Sequence, residues 1–155
     1  MLYRGSEQEF SQANFVRLVG TQGPTLHIIK SEHDHLFGGC AFEKYPNRQN
    51  DSDEDKEDDK AFLFQLHPNQ VMLKNTLDAS YKPYAIRCYN DSLSMFGYGT
   101  DLRIYGTKNG SKSYTNLGET FELPQGYNKE KAKSYLAGSY NFTIKEIEVF
   151  LIIFK

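Results

Sequence analysis

Apolar and polar side chains alternate over several short stretches of this chain, which is the pattern of strands that bury one face of a sheet. Turn-forming residues separate these stretches about every 8 to 15 residues, a spacing typical of antiparallel sandwiches. The strands predicted from this alternation, or from β-branched and apolar runs bounded by turn residues, are residues 25–30, 36–42, 61–66, 71–73, 84–89, 101–105 and 147–154. Residues 61–66 are apolar on both faces. We therefore predict a mainly β (α+β) fold, a two-layer antiparallel β-sandwich with one or two short helices.

The last predicted strand, residues 147–154, carries the strongest apolar signal. Ile147 and Val149 share one of its faces, while Glu146 and Glu148 begin the other face. Further along, that second face also becomes apolar, so we expect the end of the strand to be buried on both sides. A strand of this kind belongs in the middle of its sheet, and its removal should unfold the domain.

Two short helices complete the pattern. Ser11 is a suitable N-cap for the first, and Phe10 can pack on Phe15 at its start. Apolar residues then continue to Val19, where the following glycine ends the helix. Residues 128–133 favour a helix of one or two turns but have no apolar stripe.

A strongly acidic run occupies residues 47–60, with seven acidic and three basic side chains. A run of this composition cannot offset its ordering entropy, so we predict a mobile acidic insertion within a single domain spanning residues 1–155. Docking on a basic partner surface is an alternative role for it. Ser52, followed by three acidic residues, is a candidate phosphorylation site for an acid-directed kinase.

Composition and charge narrow the function classes. The net charge of -2 gives no general attraction to nucleic acid or anionic lipid, and no local basic patch is evident. The first residues contain no apolar leader, and the longest apolar run, residues 149–154, is too short to span a bilayer. Two cysteines, Cys40 and Cys88, favour a reducing compartment. We expect a cytoplasmic monomer with no nucleic-acid binding, no membrane insertion and no cofactor.

Several stretches, taken in chain order, resemble a known domain family. They are Leu2-Tyr3-Arg4-Gly5-Ser6, Gly23-Pro24-Thr25-Leu26, Phe37-Gly38-Gly39, residues 61–66, residues 96–104 and residues 136–150. In this order, and over nearly the whole chain, they are similar to the TLDc domain of oxidation-resistance proteins. The positions that carry the family signature are Gly23, Pro24, Gly38, Gly39, Phe62, Phe96, Gly97, Asp101, Gly138, Ser139, Phe142, Glu146 and Glu148.

The resemblance implies a sandwich of two antiparallel sheets and a role in protection against oxidative stress. Some family members bind the vacuolar-type proton pump (V-ATPase) and inhibit or disassemble it, and no catalytic mechanism is established for the family. The signature positions are therefore expected to serve structure or interaction. The chain departs from the family at Cys40, where an aromatic residue often follows the glycine pair, and Tyr45 is the nearest substitute for a frequent Trp.

Two groups of side chains invite a chemical interpretation. His33-Asp34-His35, with His27 nearby, has metal-ligand residue types, but no cysteine or further cluster completes a site. Glu146 and Glu148 lie about 7 Å apart on one strand face, a separation that a pair of catalytic carboxylates can have. The structural interpretation, contacts to neighbouring basic side chains or backbone, is favoured for both glutamates. We predict no catalytic, metal-binding or cofactor-binding residue.

Two function hypotheses remain. The first is a non-catalytic protein-binding module that docks on a large assembly, with the soluble sector of the V-ATPase as the leading candidate from the resemblance. The second is a direct antioxidant enzyme or redox scavenger that uses a thiol or a metal. Neither Cys40 nor Cys88 has a helix start or a cation beside it in the sequence to lower its pKa, so buried, inert thiols are the favoured interpretation.

Overall fold

Two antiparallel sheets of six strands make up most of the molecule in a computed structural model that describes residues 1–47, 52–106 and 112–155. The first sheet has the order β1-β12-β2-β3-β5-β6. Its strands are β1 (Tyr3–Arg4), β2 (Thr25–Ser31), β3 (Leu36–Ala41), β5 (Phe62–His67), β6 (Val71–Lys74) and β12 (Ile144–Leu151). The predicted antiparallel sandwich is confirmed.

The second sheet has the order β11-β10-β9-β8-β7-β4. Its strands are β4 (Glu54–Lys56), β7 (Ile86–Cys88), β8 (Ser92–Phe96), β9 (Leu102–Tyr105), β10 (Ser113–Thr115) and β11 (Asn141–Phe142). Tyr84, which the alternation placed in a strand, lies instead in a 3-10 helix over Lys82–Tyr84. The sequence Lys108-Asn109-Gly110-Ser111 predicts a turn, and these residues lie outside those that the structure describes.

The first helix has the predicted N-cap and apolar stripe, and the second has the predicted short length. In α1 (Gln12–Val19) the Ser11 hydroxyl accepts a hydrogen bond from the Asn14 N–H at 3.3 Å, and Phe15 and Val19 are fully buried. The second helix, α2 (Lys129–Ala132), is a single turn. No helix among residues 1–47, 52–106 and 112–155 has the length and apolar character needed to cross a membrane.

The hydrophobic core lies between the sheets, because alternate residues of the strands point inward. Ile29 and Ile147 of the first sheet and Leu102 and Ile104 of the second are all fully buried and belong to one apolar cluster. The inward orientation predicted for Leu102 and Ile104 is confirmed. On each strand, the residues that alternate with these inward residues therefore point to the outside of the sandwich.

The prediction for the last strand is correct at its start and wrong at its end. β12 is second in its sheet, paired with β1 on one side and β2 on the other, and it ends at Leu151 opposite Thr25. Ile153 and Phe154 are 75% and 69% exposed. The reason is that β2 begins at Thr25, so beyond Leu151 no strand of residues 1–47, 52–106 or 112–155 continues the sheet on that side.

The acidic run also differs from the expected loop. Residues 54–56 form β4, paired with β7, and Asp58 is only 3% exposed. Its carboxylate accepts hydrogen bonds from the N–H groups of Phe42, Glu43 and Ala61. Composition did not reveal these contacts, which order a segment of high charge. Residues 48–51 of the predicted mobile insertion lie outside the described residues, and Ser52 is exposed.

Candidate interaction surface

The signature glycine pair, Gly38 and Gly39, permits close packing within the first sheet and between the two sheets. A Cβ atom added to Gly38 would lie 1.8 Å from the His27 carbonyl oxygen, and one added to Gly39 would lie 2.7 Å from the Phe96 ring. Gly38 thus lets β3 approach β2, and Gly39 lets the second sheet approach the first. At Gly23, a Cβ would lie 2.5 Å from the Glu43 carbonyl oxygen, so this signature glycine also permits a close backbone approach.

Asp101 organises a loop of the second sheet. It is fully buried, and its carboxylate accepts hydrogen bonds at 3.1 to 3.3 Å from four successive N–H groups, those of residues 118–121. Burial raises the pKa of Asp101 to about 7, although the four donors act in the opposite direction. Gly97 leaves room for this carboxylate, since a Cβ there would lie 2.1 Å from Asp101 Oδ1. Both signature residues therefore serve the fold.

The two glutamates of β12 are occupied by the N-terminal segment. Glu146 accepts hydrogen bonds from the N–H and hydroxyl of Ser6, and Glu148 pairs with the Arg4 guanidinium, whose Nε lies 2.8 Å away. These contacts match the structural interpretation, which named neighbouring basic side chains and backbone. Hydrogen bonds from Ser6 lower the pKa of Glu146, against the opposite effect of burial.

The histidine turn contacts the segment that follows α2. His33 Nε2 lies 3.1 Å from the Ser139 hydroxyl, and His35 Nδ1 lies 3.0 Å from the Leu136 carbonyl oxygen. Gly138 leaves room for the His33 side chain, because a Cβ there would lie 2.9 Å from His33 Cβ. Within the part of the chain that is described, no three His, Cys, Asp or Glu side chains form a group that could hold a metal ion.

His27 has a role that sequence reasoning missed. It is fully buried, with its ring 4.9 Å from the Tyr45 ring, and it shares hydrogen bonds with the Thr25 and Ser94 hydroxyls. The contact with Ser94 joins the two sheets. Burial lowers the pKa of His27 to about 3. Its position among the inward residues of β2 was the available signal, since residues 25, 27 and 29 share one face.

Aromatic signature residues and the cysteines lie mainly in the core. Phe96 and Phe142 are fully buried, whereas Phe62 is half-buried on the outer side of the first sheet. Cys40 is 2% exposed and Cys88 is fully buried. Burial raises the pKa of the Cys40 thiol to about 11, which leaves it almost entirely protonated at neutral pH.

The outer face of the second sheet carries an unbroken series of tyrosine rings and cations, which we call the tyrosine–cation row. Its members are Tyr81, Tyr84, Arg87, Tyr89, Tyr98, Arg103, Tyr105, Tyr114, Lys133 and Tyr140. Because Leu102 and Ile104 fill the core, Arg103 and Tyr105 between and beside them point outward.

The centre of the row alternates arginine and tyrosine. The Arg87 guanidinium lies 4.6 Å from the centre of the Tyr89 ring, and the Arg103 guanidinium lies 5.8 Å from the same ring. Arg103 is also 4.6 Å from the centre of the Tyr105 ring. Tyr89 therefore lies between two cations, in the geometry of cation–π contacts.

Both ends of the row continue through tyrosines. On one side the Tyr84 ring lies 5.2 Å from the Arg87 guanidinium and 5.0 Å from the ring of Tyr98, which in turn stacks on Tyr81. Tyr98 is 43% exposed.

On the other side Tyr105 contacts Tyr114, and Tyr114 contacts Tyr140 at 5.8 Å between ring centres. Lys133 lies 5.3 Å from the Tyr140 ring, and Tyr140 is 40% exposed. The row thus crosses the sheet from one edge to the other.

Each cation of the row has an acidic partner. Arg87 pairs with Asp55 and Arg103 pairs with Asp91, both at 2.7 Å, while Lys133 pairs with Glu130 at 2.8 Å. The row is therefore near neutral, in agreement with the lack of a basic patch in the sequence. Its signal in the sequence was the identity of the outward residues in two alternating strands, which are arginine and tyrosine.

Comparison with known families identifies the class of protein. The family model for the TLDc domain matches residues 1–153, so the chain belongs to the TLDc family, and the resemblance seen in the sequence is confirmed. It is a TLDc-type module, of a family associated with resistance to oxidative stress. No curated protein matches the chain.

Proposed function

We propose that this chain is a non-catalytic, cytoplasmic protein-binding module that contributes to oxidative-stress protection by docking on and regulating the V-ATPase. The tyrosine–cation row is the observation that carries the proposal, and membership of the TLDc family supplies the candidate partner. The soluble sector of the pump is the expected docking site.

The residue types of the row support a protein partner. Tyrosine and arginine are enriched at protein interfaces and among the side chains that dominate binding energy there. Stacking and ion pairs already hold these side chains in place, so binding loses less side-chain entropy than it would with mobile groups. Since Asp55, Asp91 and Glu130 neutralise the cations, the row suits a near-neutral protein surface better than a polyanion.

The antioxidant alternative has weaker support from the thiols. A reactive cysteine needs access and a lowered pKa, whereas Cys40 is buried and burial raises its pKa. The double variant C40S/C88S distinguishes the two hypotheses. Under our proposal it keeps the protective effect in peroxide-treated cells, and loss of protection by a variant that still folds would favour thiol chemistry.

Co-sedimentation with the purified soluble sector of the V-ATPase tests the docking. We expect saturable binding in the micromolar range or tighter, and the double variant Y98A/Y140A should weaken it by ~10-fold or more, because both residues are exposed members of the row. Absence of binding at tens of micromolar would reject the pump as partner.

Tyr127 provides a matched control. It is 42% exposed, close to Tyr98 and Tyr140, but its ring contacts Tyr135 and it is not part of the row. The variant Y127A should bind the pump sector as the natural sequence does. Equal losses for Y127A and Y98A/Y140A would show that the row is not the docking surface.

A further inference from the structure

Part of the outer face of the first sheet, over β2, β5 and β6, is apolar and open to solvent. On β2, β5 and β6 the side chains on this face include Leu26, Ile28, Phe62, Phe64, Leu66 and Met72. Leu66 and Met72 are 49% and 53% exposed. A solvated face of an antiparallel sheet normally carries polar residues, and exposed apolar patches of this kind mark interaction sites.

Three hollows lie side by side along this face, and we call them together the apolar trough. The first, of about 320 Å³, is lined by Leu66, Phe62 and Met72, and the last two also line the second, of about 370 Å³. The second shares Phe42 with the third, of about 360 Å³, where Phe154 stacks on Phe42. Since neighbouring hollows share lining residues, the trough is a series of adjacent hollows that extends from Leu66 to Phe154.

The end of the trough beside Phe154 is acidic. Glu43, Glu57, Asp58 and Asp59 line the third hollow together with Lys60 as the one cation among its described lining residues. Asp58 accepts hydrogen bonds from backbone N–H groups. Asp59 pairs at 3.1 Å with Lys82, which does not line the hollow.

Glu43 and Glu57 are the carboxylates that remain available. Both are exposed, and neither forms a salt bridge with a cation among residues 1–47, 52–106 and 112–155. Lys82 lies near Glu57 as well as Asp59, and both carboxylates raise its pKa, Asp59 more strongly than Glu57. The four carboxylates of the third hollow outnumber its cation, and an apolar channel with a surplus of negative charge at one end is complementary to a segment that is apolar along its length and basic at one terminus.

A helix fits this face better than an added strand. A bare apolar sheet face is what an amphipathic helix covers in two-layer folds. Strand addition needs an open sheet edge, but β6 has only four residues. At its last residue, Lys74, both backbone groups already bond Glu122, at 3.2 Å from N–H to Oε2 and 2.9 Å from C=O to N–H.

A second copy of the chain is a poor occupant. A symmetric dimer through this face would pair the trough with a copy of itself, and that copy carries more carboxylates than cations in its lining. A second copy therefore offers Glu43 and Glu57 no surplus of positive charge. The charge therefore selects a different, basic partner.

We propose that the apolar trough binds an amphipathic helical peptide segment whose apolar stripe covers Phe62, Leu66 and Met72 and whose terminal Lys or Arg reaches Glu43 and Glu57. This site lies on the opposite face of the sandwich from the tyrosine–cation row. It is therefore independent of docking on the V-ATPase, and either interaction can fail without the other.

A displayed library of random peptides of about 16 residues, roughly four helical turns, tests the chemistry of the occupant directly. Peptides are selected for binding to the natural chain, and those that also bind L66E/M72E are removed. The remaining peptides should carry apolar residues at helical spacing followed by Lys or Arg. Failure to enrich any peptide over L66E/M72E, or enrichment of acidic peptides, would overturn the proposal.

Fluorescence anisotropy with the most enriched peptide then measures the contribution of the trough. L66E/M72E should lower its affinity by ~10-fold or more, because a carboxylate replaces each apolar contact. The matched control is I153E, which alters a 75% exposed apolar residue that lines none of the three hollows. The affinity of I153E for the peptide should equal that of the natural chain. Equal losses for both variants would indicate non-specific adhesion.

The acidic end has its own test, which does not depend on altering the apolar residues. E43Q/E57Q should weaken binding of the basic peptide by several-fold. The affinity for an analogue of this peptide with Gln in place of Lys and Arg should be unchanged. An equal effect on both peptides would reject the charge pairing. Sedimentation that shows concentration-dependent dimers of the chain, lost in L66E/M72E, would assign the trough to a second copy instead.

Discussion

His27 illustrates at the scale of single residues how a polar group can hold two sheets together. Its imidazole lies between the Thr25 and Ser94 hydroxyls and is surrounded by the rings of Phe15, Tyr45 and Phe96. A neutral imidazole satisfies both hydroxyls, whereas a charged one would lose its hydration without gaining an anion. The histidine is thus a structural group, despite having the residue type of a metal ligand.

We expect H27Q to make the pH dependence of stability shallower. Below the usual pKa of 6.5 the unfolded chain binds a proton at His27, while the folded chain, with a pKa of about 3, does not. The natural chain therefore loses stability as pH falls from 6.5 toward 3, by about 2 kcal/mol at pH 5. H27Q should be less stable at pH 7, and the difference should shrink by about that amount at pH 5 in urea unfolding curves.

The contribution of Asp101 cancels in this comparison. Its raised pKa has the opposite sign, because the folded chain binds the proton first, but it is the same in both proteins. The matched control is H67Q, which replaces an exposed histidine and should change the free energy of unfolding at pH 7 by under about 0.5 kcal/mol. Parallel curves for H27Q and the natural chain would show that His27 is not buried as a neutral group.

At the scale of elements, the pairing of β2 with β3 depends on a glycine. Gly38 lies opposite Ile28, and the carbonyl oxygen of His27 occupies the space where a side chain would begin. An L-residue at this position cannot be accommodated by rotating a side chain, because the contact is with backbone. The two strands would have to separate.

G38A is therefore expected to destabilise the domain strongly, by ~3 kcal/mol or more in urea unfolding. G126A is the control, since a Cβ there meets nothing within 4 Å and only its positive φ of 81° opposes the change. It should cost about 1 kcal/mol. A G38A protein as stable as G126A would contradict the close approach of β2 and β3.

The ends of β12 differ in their contribution to stability. Val149 is fully buried opposite His27, whereas Ile153 lies beyond the paired residues and is exposed. V149A should lower the free energy of unfolding by about 1 to 3 kcal/mol, and I153A by under about 0.5 kcal/mol. Comparable losses would indicate that the terminal residues are buried in solution.

At the scale of the whole molecule, the sandwich separates two surfaces of different chemistry. The near-neutral tyrosine–cation row covers the outer side of the second sheet, and the apolar trough with its acidic end covers the outer side of the first. Between them lies the hydrophobic core. Such an arrangement allows one small domain to contact two partners together.

Binding at the two faces should accordingly be independent. A saturating concentration of the basic amphipathic peptide should leave the affinity for the pump sector unchanged, and Y98A/Y140A should leave the affinity for the peptide unchanged. Competition between peptide and pump sector in co-sedimentation would instead place both partners on one surface.

Local patterns in the sequence were sufficient for much of the fold. Alternation located β9, β-branched or apolar runs bounded by turn residues located β2, β3 and β5, and the cap at Ser11 located α1. All of these signals depend on neighbours within a few residues. The family resemblance also followed from the sequence, and the match over residues 1–153 confirms it. Strands as short as β4 and β11 lacked enough residues for alternation to be recognised.

The sequence by itself determined the strands with clear alternation, the first helix, the inward residues and the family. Only the tertiary structure decided which apolar faces are covered: β5 has apolar residues on both sides, and it is the position of the second sheet that buries one side and leaves Leu66 exposed on the other. It also decided that tyrosines and arginines far apart in the chain form one row. Both outcomes depend on contacts between strands distant in sequence, which no local pattern records.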